Sequence, residues 1–309
     1  MKIGLFLDLR NPPAWQRPWA EHYASTVATV VEAERLGIDA IWLSEHHLFA
    51  DGYLPQPLTF AAALAQATSR VRIGTAILIA ALRHPRHVAE EAAIVDLVSG
   101  GRLELGIGAG WARPEYEAFG VDHGRRFAIT EARVGEIRDL LADPSLTPGP
   151  LQRPLPLWLG AMRPIGARRA GRLGVGMLSL DRALLAPYRD GLAEAELPPS
   201  AARMGGLVEI VLADDPEATA AALRPYREHQ VRTYAEFRDP GFEGTVHDDG
   251  LRVLTPDDAA AAIRRIARGL PVEHVYLWLS VGGMPEAIVQ RHVELTAGPL
   301  RAALAKRYD

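Results

Sequence analysis

Three consecutive polar residues, Glu45-His46-His47, follow the apolar run Ile41-Trp42-Leu43. A histidine at such a boundary can donate a hydrogen bond or exchange a proton near neutral pH. The plainer alternative is a strand cap, or a partner for a buried carbonyl. His84 and His87 flank Pro85-Arg86, so four histidines on two segments raise the question of a metal. The spacing argues against one, because there is no His-x-His pair on the first strand-like run and no HExxH. Gly106-Ile107-Gly108-Ala109-Gly110 leaves little side-chain bulk before Trp111. Small residues let a planar ligand or a phosphate approach backbone amides, although the same glycines would also relieve crowding at a barrel mouth. Trp111 stands where a dinucleotide fingerprint would need its third glycine. A serine-hydrolase G-x-S-x-G is absent.

These residues need a scaffold, and the apolar pattern supplies one. Strand-like runs fall at residues 3–9, 40–44, 71–80, 102–108, 155–161, 175–180, 206–213 and 274–280. Most are almost continuously apolar, as parallel strands covered on both faces require. Helical segments alternate with them. Residues 23–36 carry an apolar stripe closed by Gly37, and Pro85 opens a second helix closed by Gly100-Gly101. Thr255-Pro256-Asp257-Asp258 combines an N-cap hydroxyl, a proline at the first turn and acids at the positive dipole end. Eight strands alternating with helices over this length predict an α/β fold of the (β/α)8 TIM-like barrel type, in one domain spanning residues 1–309. Residues 226–254 show no clear periodicity and read as an insertion after the seventh strand, with a lid as its expected role. In such a barrel the site lies on the loops after the strands. That places Asp8, Glu45 to His47, residues 81–87, 108–115, 161–163 and 179–181 at one end.

Composition narrows the class. The chain has 309 residues, 48% hydrophobic, with net charge −4 and no cysteine. A broad cationic face for nucleic acid is therefore not expected, and neither disulfides nor thiolate chemistry are available. The amino-terminal apolar run is cut by Asp8, and the apolar stretch at residues 76–82 is far shorter than a membrane span. The expectation is a soluble, cytoplasmic protein with no membrane or nucleic-acid partner.

Several stretches, in order along nearly the whole chain, resemble the bacterial-luciferase-like flavin-dependent monooxygenases. They include Ile41-Trp42-Leu43-Ser44-Glu45-His46-His47, Arg72-Ile73-Gly74-Thr75-Ala76-Ile77 and His84-Pro85. Ser99-Gly100-Gly101-Arg102 through Gly110-Trp111, Pro114-Glu115-Tyr116, Phe119-Gly120 and Pro156-Leu157-Trp158-Leu159-Gly160 continue the match. The resemblance implies a barrel that binds reduced flavin or deazaflavin at the carboxyl ends of its strands, usually as a homodimer. It places His46 beside the flavin ring and the reacting oxygen, as the catalytic residue. It also puts a non-proline cis peptide at Ala76-Ile77, behind that ring. Cofactor contacts are expected from Ala76, Ile77, Gly108, Ala109, Gly160, Ala161, Met162 and Arg163. The luciferase places a phosphate-binding arginine and a small hydroxyl residue where this chain has Ala109 and Met162. Arg163, at the start of a proline-initiated helix, is the cation available in their stead. Asp8, Trp111, Tyr116 and Ser179 are expected to line the substrate pocket, and no metal is expected.

The leading reading is an FMN-dependent monooxygenase. A separate flavin reductase would supply reduced FMN, dioxygen would form a flavin C4a-peroxide, and a small organic substrate would be oxygenated. A hydride-transfer oxidoreductase using coenzyme F420 is the alternative, and a non-catalytic flavin-binding protein is a third.

Overall fold

The computed structural model describes residues 1–238 and 250–306. Its strands are β1 (Lys2–Leu7), β2 (Ala40–Leu43), β3 (Arg72–Thr75), β4 (Leu78–Ile79), β5 (Leu103–Gly108), β6 (Leu157–Gly160), β7 (Gly176–Leu178), β8 (Met204–Val208), β9 (Ile210–Leu212), β10 (Arg252–Leu254) and β11 (Val272–Trp278). The α-helices are α1 (Trp19–Leu36), α2 (Pro57–Ala67), α3 (Pro85–Ser99), α4 (Arg113–Ala118), α5 (Arg126–Ala142), α6 (Pro164–Arg172), α7 (Leu185–Glu194), α8 (Pro216–Phe237), α9 (Pro256–Ala267), α10 (Glu286–Leu295) and α11 (Arg301–Ala305). The strand order β3-β2-β1-β11-β8-β7-β6-β5-β4 closes on itself through a β3–β5 pairing. All of these pairings are parallel. The result is the expected closed barrel, with β3 and β4 sharing one stave.

Local chemistry explains the element ends. Gly37 takes φ 102° and donates to the Ala33 and Glu34 carbonyls, closing α1. Thr255 accepts from the Asp258 amide and caps α9, as its sequence requires. The stave expected at 71–80 is broken at residues 76 and 77, where the peptide is cis. The run expected at 206–213 also divides. Its first part, β8, lies in the barrel, while β9 leaves it to pair with β10 in a two-stranded side sheet.

The reading of residues 226–254 as aperiodic needs correction for its described part. Residues 226–237 complete α8, and residues 252–254 form β10. Leu223, Gln230 and Tyr234 form the buried stripe of that helix. A polar glutamine within the stripe, among charged neighbours, hides the helical period from a hydrophobicity count. The rest of the expected lid, residues 239–249, lies outside the described residues.

The barrel interior is filled by large rings. Trp42 stacks on Tyr276 at 5.0 Å and meets Trp158 edge-on at 6.2 Å. Two glycines make this possible, since a Cβ on Gly74 would lie 2.5 Å from the Trp42 ring and one on Gly176 2.3 Å from Trp158. Rings of this size, fully buried, each contribute on the order of 2–3 kcal/mol through burial. At the amino-terminal end of the strands, Glu104 pairs with Arg72 and accepts from the Trp158 indole at 2.8 Å. Arg203 lies 4.3 Å above the Trp158 ring and bonds Glu273 at 3.1 Å. This end carries packed rings and ion pairs, and in barrels of this kind the opposite mouth carries the chemistry. Among the described residues, no helix is long and apolar enough to cross a membrane.

Candidate active site

Asp8, His46, Gly108 and Ser179 stand at or just beyond the carboxyl ends of β1, β2, β5 and β7. Because those strands run parallel in one barrel, the four residues share one mouth, as the sequence predicts.

The chain leaving β2 places three polar side chains in succession, and each has a partner. Glu45 accepts from the Ile79 amide at 2.8 Å through one oxygen. Its other oxygen meets His47 Nε2 at 2.8 Å and Arg83 Nη2 at 2.9 Å. Glu45 therefore ties the β2 loop to β4, and the His47 ring is committed to that anchor. His46 is held differently. Its Nδ1 lies 2.8 Å from Glu115 Oε1, which also accepts from the His47 amide at 2.7 Å. Glu115 has no exposed surface, and its Oε2 has no hydrogen-bond partner among the described residues. A carboxylate can only accept from Nδ1–H, so the proton sits on Nδ1 and the lone pair of the neutral ring is at Nε2. His46 Nε2 has no hydrogen-bond partner among the described residues. The geometry thus leaves one nitrogen able to hold or move a proton, with a buried negative charge behind it to stabilise the imidazolium.

Aromatic rings enclose His46. Tyr53, Phe49, Trp111 and Tyr234 have centroids 4.8, 5.1, 5.3 and 6.3 Å from its ring. Tyr234 comes from α8, and its hydroxyl donates to that of Tyr53 at 3.2 Å. Burial pushes both phenols up, so both hydroxyls stay protonated. Arg10 joins these elements. Its guanidinium lies 5.0 to 5.6 Å from the Tyr234, Tyr53 and Phe49 centroids and bonds the buried Asp51 at 2.7 Å. His229 of α8 also meets Asp51, at 2.9 Å. Asp8 is buried beside them and accepts from the Arg10 amide at 3.2 Å.

A second, apolar surface faces the same mouth. The Ala76-Ile77 peptide is cis, as the family resemblance implies, and the Ala76 amide donates to Leu43 at 2.7 Å. Ile77 lies across two glycines. A Cβ on Gly108 would come within 2.7 Å of the Ile77 side chain, and one on Gly160 within 3.0 Å. Ala76, Ile77, Ala109, Gly110 and Gly160 are half-buried, so together they form a partly exposed, mainly apolar surface. A flat apolar ring fits such a surface. Beyond it, Ala161 is buried, Met162 is 67% exposed, and Arg163 is exposed at the N-cap of α6. Ser179 is half-buried and accepts from the Asp181 amide at 3.2 Å.

Tyr116 departs from its expected place on the substrate wall. It has no exposed surface, its hydroxyl donates to the Ala109 carbonyl, and its ring meets His123 edge-on at 5.1 Å. It supports the 108–110 turn from beneath. His84 caps α3 by accepting from the Arg86 amide at 3.2 Å. Among the described residues, no group of three or more His, Cys, Asp or Glu is disposed to hold a metal.

Arg10, Asp51, Phe49 and Tyr53 have no role in the sequence reading; Glu115 falls in the 108–115 stretch placed at the mouth and Tyr234 in the expected lid, with no individual role given to either. Glu115 lies within a stretch that carries the family resemblance, yet its partner is 69 positions away. Spacing alone could not have paired them.

A histidine-carboxylate pair and an apolar surface thus share one mouth of the barrel. Residues 1–298 match the family described as Luciferase-like monooxygenase, and the chain belongs to that family. It is 27% identical over 298 residues to an F420-dependent glucose-6-phosphate dehydrogenase of Amycolatopsis mediterranei, covering 88% of this chain and 85% of that one. It is 33% identical over 180 residues to the oxygenase component of a flavin-dependent trigonelline monooxygenase of Acinetobacter baylyi, covering 53% and 50%. The matches to that protein and to several other curated relatives span about half of their length or less. The crystal structure of monooxygenase RslO1 from Streptomyces bottropensis superposes with a TM-score of 0.85 at 26% identity, covering 99% of this chain and 100% of the other.

Proposed function

We propose that the chain is the oxygenase component of an FMN-dependent monooxygenase, supplied with reduced FMN by a separate flavin reductase and acting on a small organic substrate. The observation that carries this reading is His46, fixed by Glu115 with no partner for Nε2 among the described residues, at the same mouth as the surface that Ile77 makes over Gly108 and Gly160. Ala76, Ile77, Gly108, Ala109 and Gly160 would hold the flavin ring. Arg163 and the amides of residues 160 and 161, with the start of α6, would meet the phosphate. When bound, reduced FMN supplies the electrons and the reaction with dioxygen.

The protein's own part is positional. His46 holds or releases a proton at Nε2, and Glu115 fixes its tautomer and stabilises its charged form. Phe49, Tyr53, Trp111 and Tyr234 exclude water around that nitrogen, which strengthens every polar interaction there. Asp8, Trp111 and Ser179 would border the substrate.

A second reading, hydride transfer with coenzyme F420, is supported by the long alignment with the F420-dependent dehydrogenase. It also draws on Arg126 at the start of α5 and Arg169 in the last turn of α6, cations 4.4 and 5.9 Å from the exposed Phe127 ring, although Arg169 already pairs with Glu131 at 2.7 Å. Anaerobic titration with reduced FMN and with reduced F420, followed by admission of oxygen, separates the two. The first reading requires tighter FMN binding and oxygen-dependent turnover.

A further inference from the structure

The amino-terminal end of the barrel holds a hollow of about 400 Å³, at the opposite end of the strands from His46. Lys2, Arg72, Arg138 and Arg203 line it, against the two carboxylates Glu104 and Glu273. In a chain of net charge −4 this is a local excess of positive charge. Residues 154–157, Pro-Leu-Pro-Leu, form an apolar wall together with Val175.

Two of the cations are fixed around one indole. Arg203 lies 4.3 Å over the Trp158 ring, and the Trp158 indole nitrogen donates to Glu104 at 2.8 Å. The other oxygen of Glu104 accepts from Arg72 Nε. Both guanidinium groups keep donors to spare. Arg203 bonds Glu273 through Nε alone, at 3.1 and 3.2 Å. Arg72 uses Nε and Nη2, on Glu104, the Leu103 carbonyl and Gln152. Both Nη atoms of Arg203 and Nη1 of Arg72 therefore have no hydrogen-bond acceptor among the described residues. The Lys2 ammonium likewise has no partner among them. Strand alternation puts Lys2 on the same face as Phe6, whose ring lies inside the barrel against Tyr276 and Trp278. Arg138 is already committed to Asp139 and the Leu173 carbonyl.

We propose that this hollow is a second ligand site, which takes a small organic anion. Its carboxylate or phosphate head meets Lys2, Arg72 and Arg203, and its apolar body lies along residues 154–157 and Val175. The planar guanidinium edge matches either head. The volume lies in the usual range for small-molecule pockets, roughly 300–1,000 Å³, and is too small for a macromolecule. A neutral ligand would leave the cations unanswered. The site stands apart from the mouth and does not depend on the flavin reading.

Calorimetric titration of the full chain with benzoate, phenyl phosphate and benzyl alcohol tests this. One or both anions should bind saturably, about tenfold or more tighter than the alcohol. Lys2→Gln, at an exposed position, should weaken that binding about two- to fivefold, the scale of a solvent-exposed charge. Glu273→Gln removes a carboxylate from the hollow and should tighten binding severalfold. Opposite effects from two charge-removing substitutions are a signature that damage to the fold would not produce. Arg163→Ala, at the other mouth, should leave the affinity unchanged. Binding of neither anion, equal binding of the alcohol, no response to Lys2→Gln, no tightening by Glu273→Gln, or loss of binding in Arg163→Ala would each overturn the proposal.

Discussion

Glu115 reaches from α4 to two successive residues of the β2 loop, holding the His46 ring at 2.8 Å and the His47 amide at 2.7 Å with a single oxygen. The pair fixes the direction of the imidazole as well as its tautomer. Glu115→Gln keeps the shape and removes the charge, so it should lower kcat by about 10–100-fold, equivalent to one charge-assisted hydrogen bond. KM should move much less. Steady-state kinetics check this, and an unchanged kcat would show that the carboxylate only builds the loop.

His46→Ala should reduce turnover by about 10²–10⁴-fold, the usual contribution of a positioned acid or base. Binding of the cofactor should fall far less, because its expected contacts lie on the floor around Ile77. If Glu115 acts through His46, the double variant His46→Ala/Glu115→Gln should be no slower than His46→Ala alone. Additive losses would separate the two residues.

Arg163→Ala should weaken reduced FMN by about 1.5–3 kcal/mol, the worth of hydrogen bonds to a charged group. Equilibrium titration reads this directly. An unchanged affinity would move the phosphate site elsewhere.

His292 offers a test of the fold that does not involve the cofactor. Its Nδ1 accepts from the Leu212 amide at 2.8 Å and its Nε2 donates to the Trp278 carbonyl at 2.9 Å, pinning β9 and β11 to α10. Burial lowers its pKa to about 4, from 6.5. The folded state therefore prefers the neutral ring. Its contribution is fully present above pH 6.5 and is lost as the pH falls toward 4, amounting to about 3 kcal/mol. In urea unfolding between pH 7 and pH 4, His292→Asn should lose less stability with acid than the parent chain. Equal acid losses would contradict this.

The barrel was legible because its strands are apolar on both faces and their helices carry strong punctuation, as at Thr255-Pro256 and Gly37. His46 was legible because three polar residues end an apolar strand. The network around it was not. Glu115, Arg10 and Tyr234 lie 69, 36 and 188 positions from His46, and only closure of the barrel mouth brings them together. Tyr116 shows the converse. Its sequence position suggested the pocket, but the Ala109 carbonyl captures its hydroxyl and draws it beneath the turn. The second half of α8 escaped notice because Gln230 occupies its buried stripe.

The central claim is the pairing of this mouth with reduced FMN, and the most direct measurement is anaerobic titration of the full chain with reduced FMN and, separately, reduced F420. FMN carries one phosphate, which suits Arg163 and the start of α6, whereas the deazaflavin adds an acidic tail that needs further cations. The account predicts that reduced FMN binds more tightly and that Arg163→Ala weakens it. Tighter binding of reduced F420 would contradict it and assign the mouth to hydride transfer.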